Sequence, residues 1–222
     1  MDVIKMARRK YLKKEEIEFV IEALEKKYPD AKAELDFTNP FELLIATILS
    51  AQCTDVRVNI VTGELFKIVK GPLDIVNMPV DSLKEHIRTC GLYQTKAKNI
   101  KAACEILVNE HNSIIPDDRE VLVKLPGVGR KTANVVVSNA FDQAAIAVDT
   151  HVFRVSNRLG LAHSENVLDT EKQLMKRLPK EIWSKTHHTL IFHGRRQCKA
   201  RKPECETCPV NSVCLFHKYN KK

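Results

Sequence analysis

Apolar residues recur at helical spacing along almost the whole chain. This periodicity constrains the fold more than any other feature of the sequence. In KKEEIEFVIEALEKKY, the residues Ile17, Val20, Ile21 and Leu24 fall at i, i+3, i+4 and i+7, which is one face of a helix. TNPFELLIATIL opens with Asn39 as an N-cap and Pro40 at the first helical position. A further helix restarts after Thr54 or Asp55, SLKEHIRTCG is expected to stop at Gly91, and another helix is expected from Thr95 to Asn112. The run ANVVVSNA is rich in valine, which favours strands, but it lacks a pairing partner and is read as helix. The expectation is an all-α chain of about ten short helices.

The longest apolar run, Phe41 to Ala51, contains Glu42 and Thr47 and falls short of the roughly 20 residues a membrane span needs. It reads as a buried helix. The N-terminal MDVIKMARRKYLKK is basic but leads into no apolar stretch, so it is not read as a secretory signal. A cytosolic protein is therefore expected, a setting in which disulfides are rare. Lys and Arg outnumber Asp and Glu by 36 to 28, a formal charge of +8, which favours a polyanionic partner without naming it.

LPGVGRKTA, Leu125 to Ala133, resembles a phosphate loop at first sight. In the Walker A pattern, however, the lysine directly follows the second glycine, whereas here Arg130 separates Gly129 from Lys131. The segment EVLVKLPGVGRKTANVVV reads instead as helix, tight turn, helix. Gly127 and Gly129 give the backbone freedom where a side chain would clash. N–H groups at the start of the second helix, with Arg130 beside them, form a site suited to a phosphate. Such a contact holds DNA without reading its sequence. Lys131 lies in the first turn of that helix, where the dipole, Arg130 and partial burial all disfavour a second positive charge. Two roles are open for it: a phosphate contact, which spacing alone favours, or an amine able to form Schiff bases.

Asp149, in AIAVDTHVFRVSNRLG, stands just before an amphipathic helix and reads as its N-cap. His151 reads as a structural hydrogen-bonding group. Cys198, Cys205, Cys208 and Cys214 form the pattern C-x6-C-x2-C-x5-C, and the total of seven cysteines argues against a disulfide framework. Four thiolates suit zinc or a [4Fe–4S] cluster. Structural zinc sites usually show two close pairs and only Cys205 and Cys208 make one here, which tilts the reading towards iron–sulfur. Between the first two ligands, KARKPE carries Lys199, Arg201 and Lys202, with Arg195 and Arg196 upstream. That density suggests a basic loop held against a DNA backbone. Cys53, Cys90 and Cys104 read as small buried side chains.

LSAQCTD (Leu49 to Asp55), GLYQTKAKNI (Gly91 to Ile100), the hairpin, VDTH (Val148 to His151) and the C-terminal cysteines together resemble the helix–hairpin–helix base-excision DNA glycosylases. Within them the endonuclease III family is the most similar, over about Leu35 to Cys214. The resemblance implies two helical domains flanking a DNA-binding cleft. One is a central helical-barrel domain over 33–143 with its hairpin near 118–138. The other is a discontinuous cluster domain of 1–32 plus 144–222, with the cluster loop at 198–214. It implies that Lys131 is the catalytic amine, attacking C1′ of a damaged nucleotide, and that β-elimination then cuts the strand 3′ to the lesion. Relatives that only remove the base lack this lysine. Asp149 becomes the catalytic carboxylate, facing Lys131 across the cleft, and its capping bonds keep it ionised. Gln52 and Leu92 become the residues that fill the duplex when the base is extruded.

The same resemblance settles the metal as a [4Fe–4S] cluster, structural rather than catalytic because base removal needs no redox chemistry. It also implies a monovalent cation on backbone carbonyls of the hairpin. The expected partner is duplex DNA with an oxidised pyrimidine or an abasic site. A monomer in the cytoplasm, nucleoid-associated when on DNA and without a membrane partner, is expected. The competing readings are a mismatch or alkylated-base glycosylase of the same superfamily, and a non-catalytic zinc-stabilised nucleic-acid-binding module.

Overall fold

A computed structural model of the protein describes residues 10–219, so most of the basic N-terminal stretch lies outside the described residues. Among the described residues there are twelve α-helices, one 3-10 turn and no strand. The chain divides into two compact units, one of Ala33–Ala145 and one of the residues up to Lys32 with those from Ile146 onward.

In the first unit α2 (Pro40–Ser50) is central, packing against α3 (Asp55–Ile68), α6 (Tyr93–Glu110) and α8 (Arg130–Ala140). Its start is fixed by Asn39, whose Oδ1 accepts the Glu42 N–H at 3.0 Å, and by Pro40. The Glu42 carboxylate in turn accepts from the Thr38 N–H and hydroxyl at 2.6 and 2.8 Å. Leu43, Leu44, Ile45 and Leu49 are fully buried, and truncating any one of them to alanine costs about 2–5 kcal/mol. The valine-rich run is helical, as α8, because Ala133, Val136 and Val137 share the face that packs on α2.

Some boundaries differ from the sequence reading. α4 (Pro72–Asn77) is additional, started by Pro72 and by the Asp74 carboxylate, which accepts the Lys70 and Gly71 N–H groups at 2.7 and 3.0 Å. α5 (Val80–His86) ends well before Gly91, since the chain leaves the helix to bury Ile87 and Cys90 in the core. α6 begins at Tyr93 rather than Thr95. Cys104 is buried like Cys90, whereas Cys53 is only half-buried.

In the second unit α1 (Lys14–Lys27) packs on α11 (Trp183–Arg196), and α9 (Thr150–Leu159) packs on α11, α10 (Val167–Arg177) and α12 (Leu215–Tyr219). The two ends of the chain are joined by polar contacts. The Tyr28 hydroxyl lies 3.2 Å from His193 Nδ1, Lys27 Nζ donates to the Gln197 side chain, and Arg177 donates to the Leu12 carbonyl at 2.7 Å.

Candidate active site

The hairpin is α7 (Arg119–Leu122), a turn, and α8. Asp118 caps α7, accepting from the Glu120 and Val121 N–H groups at 2.6 and 3.2 Å. The turn is anchored by Leu125 and Val128, both buried. Gly127 has φ +80°, and a Cβ there would sit 3.0 Å from the Asn99 Cβ. Gly129 differs: its φ is −90°, it is the N-cap of α8 with no side-chain cap, and a Cβ on it would meet nothing within 4 Å. Neither conformation nor packing requires glycine at 129, which leaves the helix N-terminus open for close approach of an anion. Gly127→Ala is therefore expected to destabilise the fold by about 1 kcal/mol or more. Gly129→Ala should leave the melting temperature unchanged and weaken DNA binding. Thermal melts beside fluorescence-anisotropy titrations separate the two, and equal loss of stability in both variants would count against this assignment.

Lys131 follows in the first turn and is exposed. Partial burial, one of the routes by which the sequence suggested an activated amine, is absent. The buried face of α8 begins only at Ala133, so any desolvation of the amine is left to whatever binds there.

Two further turns of the same unit carry Gln52 and Leu92. Both are exposed, Leu92 at 59%. Both also have left-handed backbones, with φ of 54° and 59°. For non-glycine residues that conformation costs on the order of 1–3 kcal/mol each and persists only where the surroundings impose it. The turns touch, since a Cβ on Gly91 would lie 3.1 Å from the Gln52 carbonyl oxygen. Gly91 is thus a point of close approach, not a helix stop.

In the other unit Asp149 caps α9, its Oδ1 accepting the His151 and Val152 N–H groups, each at 2.8 Å. The side chain is half-buried, and the cap does not use Oδ2. The His151 ring faces Arg154, whose Nη2 lies 3.2 Å from its Nδ1. Arg154 also donates to the Cys198 and Gly194 carbonyls at 3.1 and 2.9 Å. One turn on, Arg158 donates to the Lys199 and Ala200 carbonyls at 2.7 and 2.9 Å, lies 3.6 Å from Cys198 Sγ, and stacks 4.6 Å from the Phe216 ring centre. One helix therefore presents Asp149 at its start and grips the cysteine loop further along.

Cys198, Cys205, Cys208 and Cys214 line one cavity with Leu159, His193 and Gln197. Burial pushes the Cys214 thiol up to about 11 and raises Cys205 and Cys208 as well. A bound metal reverses that, because a coordinating thiol is deprotonated outright. Four thiols around one cavity match the ligand set that a [4Fe–4S] cluster takes. Outside the cavity Lys199, Arg201 and Lys202 are exposed, with Lys199 paired to Glu204 at 2.5 Å. Arg196, also exposed, stacks on Phe192, 4.1 Å from its ring centre, and lies 3.8 Å from the Asp30 carboxylate.

The profile of the HhH-GPD superfamily of base excision DNA repair proteins matches residues 45–180, and that of the iron–sulfur binding domain of endonuclease III matches residues 198–214. The endonuclease III of Bacillus subtilis (strain 168) is 52% identical over 200 residues, 90% of this chain and 91% of its own. That of Escherichia coli (strain K12) is 47% identical over 197 residues, 89% of this chain and 93% of its own. A solved structure of a trapped endonuclease III–DNA covalent intermediate, an estranged-adenine complex, aligns with TM-score 0.89 and 52% identity. It covers 93% of this chain and 98% of that one. The chain belongs to the HhH-GPD superfamily of base excision DNA repair proteins.

In this HhH-GPD protein most of the residues singled out from sequence fall into three groups, with Asp149 apart at the start of α9 and Lys199, Arg201 and Lys202 on the loop between the first two cysteines. Gly127, Gly129, Arg130 and Lys131 share the hairpin, Gln52 and Leu92 share a pair of abutting turns, and the four cysteines share a cavity. The match to the iron–sulfur binding domain over residues 198–214 gives the chain a [4Fe–4S] cluster. Arg154 and Arg158 were missed in the sequence. Their i, i+4 spacing on α9 was the available signal, since it puts two guanidiniums on one face.

Proposed function

We propose that the chain is a bifunctional DNA glycosylase and AP lyase acting on oxidised pyrimidines in duplex DNA. The exposed amine of Lys131, in the first turn of a helix that no side chain caps, carries this reading. The attacking Nζ forms a bond to C1′ as the bond from C1′ to the damaged base breaks. The sugar ring opens to a Schiff base, and β-elimination then expels the 3′ phosphate. Asp149 supplies a fixed carboxylate beside the positive charge that develops at C1′ and relays the proton that Lys131 loses. Its geometry suits this, because the helix N–H groups hold Oδ1 and the cap leaves Oδ2 out. Gln52 and Leu92 fill the space the extruded base vacates. Gly127, Gly129 and Arg130 hold the phosphate backbone, as do Lys199, Arg201 and Lys202 on the cluster loop. A monovalent cation on the hairpin carbonyls belongs to the same reading.

Cys198, Cys205, Cys208 and Cys214 would ligate the [4Fe–4S] cluster, which ties the basic loop together. Arg154 and Arg158 transmit that anchoring to α9. This reading is favoured over a mismatch or alkylated-base glycosylase by the covalent endonuclease III–DNA intermediate trapped in the 52% identical structure, because a lysine amine such as that of Lys131 is among the side chains able to form a covalent intermediate. A panel of duplexes with one defined lesion each tests it. Excision of an oxidised pyrimidine should exceed that of a mismatched thymine or an alkylated purine by on the order of 100-fold. A preference for either of the others would replace it.

A further inference from the structure

The first turn of α6 contains a charged residue where an apolar one would be expected. Lys96 shares its helix face with Ile100, Ala103, Cys104 and Leu107 and is buried, 5% exposed. Its ammonium donates to the Leu49 carbonyl at 2.8 Å and to the Ala51 carbonyl at 2.6 Å. These lie at the C-terminal end of α2, where carbonyls lack helical partners and the dipole favours a cation. The neighbouring carbonyls are satisfied locally: Thr47 accepts from the Ser50 hydroxyl at 2.8 Å, and Ser50 from the Cys53 N–H at 3.1 Å. Lys96 thus completes a helix end that the local chain leaves unfinished.

Its position matters because of what lies next to each contact. Ala51 directly precedes Gln52, and the Lys96 N–H itself donates to the Leu92 carbonyl at 3.0 Å. The Lys96 side chain therefore holds the chain next to the left-handed Gln52, while its backbone N–H makes the first helical bond of α6 to the carbonyl of the left-handed Leu92. Gly91 brings the turns into contact beside it. The exposed Leu92 side chain cannot impose its own backbone conformation, so the constraint has to come from behind the turn. Packing alone would be met by an aliphatic residue. Burial pushes the Lys96 ammonium below the ordinary lysine value, opposed in part by Cys90 and Cys53, and the two carbonyl contacts help to offset the cost of placing a charge there.

We propose that Lys96 is a positioning residue for base extrusion, clamping the end of α2 to the start of α6 so that Gln52 and Leu92 enter the duplex as one preset wedge. This rests on the reading of Gln52 and Leu92 as the residues that fill the vacated space. The test uses the full-length protein carrying its cluster and compares two substrates under single-turnover conditions. The first is a duplex with an oxidised pyrimidine beside 2-aminopurine, whose fluorescence reports unstacking. The second is a single-stranded oligonucleotide with a preformed abasic site, from which no base has to be extruded. Lys96→Met should slow unstacking and excision in the duplex by about 100-fold at saturating enzyme, and cleavage of the single strand by less than about threefold. Lys96→Arg, which keeps charge and donors, should recover part of the loss. Gly91→Ala, whose methyl must push against the Gln52 carbonyl, should show the same selectivity. Lys96→Met should also add little in a Gln52→Ala, Leu92→Ala background.

Equal slowing on both substrates, no slowing, or full additivity with the wedge substitutions would overturn the proposal. If Gln52→Ala and Leu92→Ala themselves leave duplex excision unchanged, the wedge reading fails and this inference fails with it. If they impair excision and Lys96→Met does not, only the role of Lys96 fails. Should Lys96→Met lose its cluster absorbance or its cooperative melt, Lys96→Arg decides the matter by whether its remaining loss is selective for the duplex.

Discussion

Lys131→Ala is expected to abolish the adduct that borohydride traps between the protein and abasic DNA, and to slow strand cleavage by on the order of 10³-fold or more, the scale on which removal of a nucleophile acts. The fold should be indifferent to the change. The side chain is exposed and the buried face of α8 starts beyond it, so stability should stay within about 0.5 kcal/mol of the parent. Lys131→Arg makes the sharper comparison. A guanidinium keeps the positive charge at the hairpin and binds phosphate well, but it stays protonated and cannot form an imine. If Lys131 merely held a phosphate, arginine would retain cleavage and DNA affinity alike. If it is the amine that attacks C1′, arginine retains affinity and loses the adduct. Quantifying trapped complex on denaturing gels beside equilibrium binding separates these outcomes. An adduct formed at parental level by Lys131→Ala would remove this residue from the chemistry.

What the sequence made legible was local, and what it misplaced was set by packing and by contacts distant in the chain. The caps at Asn39 and Asp149 were readable because a cap depends on a polar side chain and the two or three N–H groups beyond it. The helical state of ANVVVSNA was readable because it had nothing to pair with, and packing on α2 overrides valine's strand preference. Gly91 was misread because a glycine after a helix usually marks its end, whereas here the requirement is for space against a carbonyl some forty residues away in the chain. The exposure of Leu92 on a left-handed backbone is visible only when its neighbours are in place. Partial burial of Lys131 was weighed from its place at a helix start, but the helix phase that exposes it is set by how Ala133 and Val136 pack.

Lys96, Arg154 and Arg158 went unremarked for a common reason. Each acts by donating to backbone carbonyls distant in sequence, and a carbonyl acceptor leaves no trace in a residue's identity. A lysine on an apolar helix face, or two arginines one turn apart, is the only sign available. The reach from Arg158 to the loop at Lys199 and Ala200 also shows why the cluster loop and the Asp149 helix are one structural problem. The loop takes its shape from four thiols on one side and from α9 on the other.

That coupling makes Asp149 the most informative position after Lys131, because its capping and its charge can be separated. In Asp149→Asn the amide oxygen can accept the same two N–H groups from His151 and Val152, and asparagine caps helices about as well as aspartate. The start of α9 and its grip on the cluster loop should therefore survive, with an unchanged melting temperature and an unchanged visible absorbance. The negative charge does not survive. Base excision should fall by roughly 10²- to 10³-fold, the scale on which removing one preorganised electrostatic partner acts. Trapping at a preformed abasic site should fall less, because no base has to leave and little cationic character builds at C1′. Asp149→Ala removes both functions and should show the same loss of excision together with about 1 kcal/mol of destabilisation from the missing cap. The order of the variants decides the role. If capping were all that Asp149 does, asparagine would work almost as well as aspartate and only alanine would fail. If the charge matters at the reacting carbon, asparagine fails in catalysis while standing with the parent in stability.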